Sequence, residues 1–291
     1  MSSGTPLLIT DSSCDLPSGI VERIGVGMLN LRFRLGGDEH VDDLGASMSH
    51  ERFYALMREG ATPTTAAVPL SEYVEAFESA VVQGRPVLLL GLSSALSSTY
   101  ETALTARDMV AADHPGADIR VIDSLNASVA LGLLIVEAAK LLESGARIDT
   151  LTTWALEART RVNGYFTLES LEHLRRGGRI SDALAFAGTM LDVRPVLRID
   201  ATGQLVFAGQ TRGRRKSMKA LVDVAAQRVS DPGNQTAFVG HGDALEDAHA
   251  LRDLLLERVG FAGVVITEIG PVIGSHVGPG MLAVVFSGAD R

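Results

Sequence analysis

The stretch PVLLLGLSSALSSTYETA, Pro86–Ala103, decides the fold. Its first seven residues, Pro86–Leu92, form an almost unbroken apolar run of strand length. A strand of that kind is covered on both faces, as in a parallel sheet. Hydroxyl residues follow at once (Ser93, Ser94, Ser97, Ser98 and Thr99), and a helix is expected over residues 97–112, stopping near Pro115-Gly116. The same order of buried strand, hydroxyl turn and helix recurs at Ile9-Thr10-Asp11-Ser12-Ser13 and at Ile122-Asp123-Ser124-Leu125-Asn126. In an open parallel sheet such turns gather at the carboxyl edge, where ligands bind. Helix N-termini there offer free N–H groups and a dipole suited to an anion, and hydroxyls add donors without adding charge. The ordinary reading of each serine alone is a helix cap. Three such turns on neighbouring strands point to a binding edge. Ser93 and Ser94 are the candidate anion donors, and Asp11, Ser12, Asp123, Ser124 and Asn126 support the loops. The two aspartates read as acceptors for loop amides rather than as metal ligands.

Working outward, strand-like and helix-like segments alternate along the chain, which predicts an α/β protein with mostly parallel sheets flanked by helices. Two domains are expected, residues 1–160 and 161–291. Residues 26–35 read as one strand ending at Gly36-Gly37, and Ser49 as a helix cap. Residues 181–191 read as a helix, and residues 196–199 and 204–208 as a hairpin around Ala201-Thr202-Gly203. A basic helix is expected over residues 213–228.

The chain has 291 residues, comfortable for two domains, with 46% hydrophobic and only 5% aromatic residues. That composition builds an aliphatic core and leaves apolar side chains to line a cavity. The net charge of −9 argues against a general nucleic-acid binder. The single cysteine, Cys14, cannot form an intrachain disulfide and fits a reducing compartment. The start, MSSGTPLLITDSS, lacks the pattern of a secretory signal. The most apolar stretch, residues 130–142, is too short to span a bilayer. A cytoplasmic location is expected, with at most transient membrane contact. No G-x-S-x-G elbow, Walker A motif, G-x-G-x-x-G turn after a strand or zinc spacing occurs.

Three further features carry candidate chemistry. Residues 270–280, GPVIGSHVGPG, crowd glycine and proline around His276 and read as a turn that positions this side chain. Arg179 follows Gly177-Gly178 and has the reach for a carboxylate or phosphate. Arg212, Arg214, Arg215, Lys216 and Lys219 form a basic cluster in an acidic chain, the ordinary reading being a solvated helix face and the sharper one an acidic partner.

Taken together, ITDSSCDLP, LGLSSALSSTYETA, VIDSLNAS, YFTLESLEHLRRGGRIS, MLDVRPVLRID, QTRGRRKSMKAL and GPVIGSHVGPG, in that order and over nearly the whole chain, resemble the DegV family of bacterial fatty-acid-binding proteins. The resemblance implies two α/β domains with a fatty acid, such as palmitate, stearate or oleate, buried between or within them, and no other cofactor. It implies that Ser93 and Ser94 bind the carboxylate, with His276 and Arg179 in the head-group network. The family's Thr-Ser-Gln-Pro-Ser segment reads Thr64-Thr65-Ala66-Ala67-Val68-Pro69 here. Alignment on Glu72-Tyr73 puts Thr65 in the network, with Thr62 and Thr64 as alternatives. Ser98 stands where the family usually has glycine. The resemblance further implies a carrier that hands its fatty acid to a separate ATP-dependent kinase, with Arg212, Arg214 and Arg215 on the partner-facing side. Fifteen buried methylenes would contribute about 12 kcal/mol before binding costs. A small hydrolase or acyl transferase using Ser93 or Ser94 with His276 is the alternative, and it lacks a strained nucleophile turn.

Overall fold

The computed structural model describes residues 4–180 and 193–291. Its strands, in chain order, are β1 (Leu7–Asp11), β2 (Gly27–Leu29), β3 (Arg32–Leu35), β4 (Asp38–Val41), β5 (Thr64–Ala66), β6 (Val87–Gly91), β7 (Ile119–Asp123), β8 (Val162–Thr167), β9 (Val193–Ile199), β10 (Leu205–Arg212), β11 (Thr236–His241), β12 (Gly263–Glu268) and β13 (Leu282–Ser287). Its α-helices are α1 (Ser18–Ile24), α2 (His50–Arg58), α3 (Leu70–Val82), α4 (Thr99–Asp113), α5 (Val129–Glu143), α6 (Ile148–Ala158), α7 (Glu172–Arg176), α8 (Arg214–Arg228), α9 (Leu245–Arg258) and α10 (Pro271–Val277). The helix expected over residues 181–191 lies outside the described residues.

The first sheet has the order β2-β1-β6-β7 and is parallel throughout, as the buried run at residues 86–92 predicts. Every residue of β6 is buried. Helices α3, α4, α5 and α6 pack around this sheet. The second sheet corrects the expectation of parallel strands. Its order is β10-β9-β8-β13-β11-β12, and all neighbours but β11 and β12 run antiparallel. A tight turn at residues 200–204 joins β9 to β10 directly, which only antiparallel strands permit. β13 inserts between β8 and β11 against both.

A further correction concerns residues 26–35. The segment breaks into β2, in the parallel sheet, and β3, which pairs with β4 and β5 in a small antiparallel sheet. Gly36 and Gly37, both at positive φ, follow the end of β3 at Leu35, as expected, and make the β3–β4 turn. The aromatic side chains of Phe33, Phe53 and Tyr54 close the core beneath this sheet and α2.

Helix α5 is the centre of the molecule. Its sequence, VALGLLIVEAAKLLE, is apolar on all sides at its start, and residues 129–135 are buried without interruption. A helix of that composition must be covered all round. It packs on β1 and β6 of the first sheet and on β8, β11 and β13 of the second. One apolar cluster therefore runs from Leu8 to Val285 through both sheets, while a second lies under α8 and α9. The border expected near residue 160 falls in the turn between α6 and β8.

Candidate functional site

A cavity of about 310 Å³ lies among α5, α10, the second sheet and the loop before α4. That volume is at the small end of the range for ligand pockets, roughly 300–1,000 Å³. Most of the wall is aliphatic: Val129 and Ala130 from α5, Gly164 from β8, Ile199 from β9, Val285 from β13 and Val272 from α10. The polar side chains on the wall are Thr65, Ser97, Ser98, Ser128, Arg179 and His276, and β8 contributes Tyr165 to the lining as well as Gly164.

Two of these bond each other, and the Arg179 charge lies near enough to act on His276. The Thr65 hydroxyl, on β5, lies 2.9 Å from His276 Nε2 in a hydrogen bond. His276 belongs to α10, a short helix that starts with Pro271 in its first turn, so the glycine- and proline-rich stretch is helical rather than a loop. Arg179 is half-buried and donates from Nε to Leu96 O at 3.0 Å and from Nη1 to Gly177 O at 2.5 Å. Its charge faces no carboxylate among the described residues. Burial, and after it the nearby Arg179 charge, pushes the His276 imidazole down to about 4. The ring is neutral at physiological pH. Its Nδ1 is buried without a partner among the described residues. A half-buried guanidinium without a counter-anion among the described residues, near a hydroxyl and a neutral imidazole, favours an incoming anion.

The structure places the two serine doublets of this turn differently. Ser93 and Ser94 are absent from the cavity wall. Ser93 is fully buried; its Oγ donates to Gly203 O at 3.0 Å and accepts from Ala95 N at 3.3 Å. Ser94 Oγ donates to Asp123 Oδ2 at 2.5 Å. Both hydroxyls are engaged by protein groups, as is Ser97 Oγ, which pairs with Thr99 Oγ1 at 2.7 Å and accepts from Thr99 N at 3.2 Å, so position on the wall is what separates the two doublets. The second serine doublet, Ser97 and Ser98, reaches the wall instead, immediately before α4 and next to the Leu96 carbonyl that holds Arg179.

The supporting residues frame these loops without lining the cavity. Asp11 accepts from Ser13 N at 3.1 Å and Leu92 N at 2.9 Å. Ser12 Oγ accepts from Leu31 N at 3.1 Å. Asp123 accepts from Ser94 N and Leu125 N, Ser124 bonds Asn126 N, and Asn126 Nδ2 reaches Arg159 O at 2.9 Å. Among the described residues no group of three or more His, Cys, Asp or Glu side chains is placed to hold a metal ion.

Two buried carboxylates, missed in the sequence, anchor the helix that carries His276. Asp15 accepts from Gly270 N at 2.8 Å and from Ser128 Oγ at 2.6 Å. Asp42 accepts from Val272 N at 3.3 Å, and its Oδ1 has no partner among the described residues. Burial raises both, Asp42 to about 7. Asp42→Asn keeps an acceptor for Val272 while removing a poorly compensated charge. It is expected to raise stability at pH 8 by about 1–2 kcal/mol and to change it little at pH 5, read from denaturant unfolding at the two pH values. A loss at pH 8 would show the charge itself to be needed.

The basic cluster is also divided by the structure. Arg212 and Arg215 are exposed. Arg214 is not a free surface charge: it pairs with Asp247 at 2.8 Å and donates to Gly280 O at 2.8 Å, tying α8 to α9 and to the turn before β13.

This arrangement defines a class: an α/β protein with an aliphatic cavity and a polar end lined by Thr, Ser, His and Arg side chains. The profile described as "Uncharacterised protein, DegV family" matches residues 7–289. A DegV domain-containing protein of Clostridium perfringens is 38% identical over 285 residues, covering 98% of each chain. The chain belongs to the DegV family. Among solved structures, a fatty-acid-binding DegV family protein from Thermus thermophilus superposes with a TM-score of 0.87 at 29% identity, over 98% of this chain and 100% of that one. A stearic acid-binding protein from Eubacterium ventriosum does so with a TM-score of 0.86 at 27% identity, over 96% and 97%. Among the described residues no helix is long and apolar enough to cross a membrane.

Proposed function

We propose that this protein binds one long-chain fatty acid, with the acyl chain in the cavity and the carboxylate at Thr65, Ser97, His276 and Arg179. The carrying observation is the half-buried Arg179, without a carboxylate partner among the described residues, opening on the same aliphatic cavity as the Thr65–His276 pair. Fatty acid binding by the Thermus thermophilus and Eubacterium ventriosum relatives supports the reading. The polar end draws on both sides of residue 160, so the proposed domains 1–160 and 161–291 share one ligand. His276 bonds Thr65 rather than a serine, which favours a carrier over a serine hydrolase. The finer proposal is a cytoplasmic carrier that presents its fatty acid to a separate ATP-dependent fatty acid kinase for acyl-phosphate formation. The exposed Arg212 and Arg215 fit a docking face for that partner, with Arg214 holding the helix beneath it.

Native mass spectrometry of the purified protein is expected to show one fatty acid per chain. Protein that is empty and takes up neither palmitate nor oleate overturns the reading. The serine assignment has its own test. Ser97→Ala is expected to weaken palmitate binding several-fold. Ser93→Ala, which leaves Gly203 O unpaired, is expected to cost about 1–2 kcal/mol of stability with the affinity little changed. The reverse pattern would return the carboxylate to Ser93.

A further inference from the structure

Gly177 ends α7 and lies two residues before Arg179. Its backbone does not require glycine: φ is −74° and ψ is −8°, ordinary right-handed helical values. What excludes a side chain is the imidazole of His276. A Cβ at residue 177 would overlap His276 Nδ1 and lie 2.9 Å from its Cε1. Heavy atoms do not approach that closely without displacing one another. The glycine also holds the other charged member of the site, because its carbonyl accepts from Arg179 Nη1 at 2.5 Å. Its N–H is fixed in turn by His173 O at 2.9 Å.

We propose that Gly177 is a positioning residue of the head-group site, a seat whose missing side chain admits the His276 ring against Thr65 while its carbonyl steers Arg179. The role follows from packing. The ring lies over residue 177 with Nε2 turned to Thr65, so a methyl group there must drive the ring or the α7 end away from the Thr65 hydroxyl. The neighbouring Gly178 has a different reason to be glycine: its φ is +69°, and a Cβ there would meet nothing within 4 Å. The pair therefore combines a turn requirement with a packing requirement.

This inference rests on the proposed fatty acid function for its affinity readout, and the test has a second readout that does not. Gly177→Ala suits the local backbone, so the variant is expected to fold, with a thermal midpoint modestly below the parent's because the ring or the α7 end must shift. In the delipidated full-length chain it is expected to lower palmitate affinity about tenfold. In a His276→Ala background, where no ring remains to displace, the same substitution is expected to change affinity less than about twofold. Equal losses in both backgrounds overturn the proposal, since the glycine would then act apart from His276. Without lipid, the His276 ring resonances report the seat directly. In the parent the ring stays neutral well below pH 6, whereas in Gly177→Ala it is expected to titrate nearer an ordinary histidine. Ring resonances and titration identical to the parent's overturn the proposal even if palmitate binds neither protein, an outcome that would separately retire the fatty acid reading.

Discussion

Replacement of Gly164 by leucine is expected to lower the affinity for palmitate by about a hundredfold while leaving the binding of a ten-carbon acid nearly intact. Gly164 lies in β8 opposite Val285 and forms part of the aliphatic wall. A Cβ there would sit 3.5 Å from Ala130 Cβ, 3.7 Å from Val285 Cγ2 and 3.9 Å from Ile199 Cδ1. Those are ordinary contacts, so the first carbon fits. The remaining three carbons of leucine must then enter the space that the acyl chain would use. Those three carbons displace roughly three methylenes, and at about 0.8 kcal/mol each the loss is about 2.4 kcal/mol, on the order of a hundredfold in affinity. The strand should tolerate the change, since leucine suits a buried strand better than glycine does. Titration with a series of saturated acids, from ten to eighteen carbons, checks both halves of the expectation. Unchanged palmitate affinity in a folded variant would place the acyl chain elsewhere.

How much of this was legible in the sequence varies residue by residue. The run at residues 86–92 identified a strand buried on both faces because no polar position interrupts it, and the four-stranded parallel sheet forms around it. Strand direction in the second sheet was hidden, because β13 finds its place between β8 and β11 through pairing over long sequence separation. Thr65, Arg179 and His276 line one cavity, and each was singled out by family resemblance or local chemistry. The choice between the two serine doublets could not be read locally. Both precede or enter the same turn, and only the fold shows that Gly203 and Asp123 engage the first. His276 was read in a turn because Pro271 and the glycines mask a short helix whose N-terminus Asp15 and Asp42 hold from elsewhere in the chain. Gly177 reads as a helix terminator, which it is. Its second reason for lacking a side chain exists only once α10 packs against it.

In the lipid-free protein the stability that depends on His276 is expected to disappear as the pH falls from 6.5 toward 4. The folded imidazole is held down to about 4, first by burial and then by the Arg179 charge, against 6.5 for an ordinary histidine. Below 6.5 the unfolded chain therefore takes up a proton that the folded chain refuses. The contribution is fully present above 6.5 and is lost as the pH falls to the folded value, a swing of about 3 kcal/mol. Asp42 works in the opposite direction. Its carboxyl is raised to about 7, so its contribution is complete below the ordinary 3.8 and is lost as the pH rises through 7. Between pH 4 and 6.5 the two slopes oppose each other, and the parent protein can look almost indifferent to pH. His276→Gln removes one slope and exposes the other. The stability of the parent minus that of the variant, measured by denaturant unfolding at half-unit pH steps, should fall steadily as the pH drops through this window. A difference that stays flat from pH 7 to 4 would mean that the ring is hydrated or already charged in the folded state. The cavity end would then be wet, and neither the neutral imidazole nor its bond to Thr65 could serve the head-group role proposed for it.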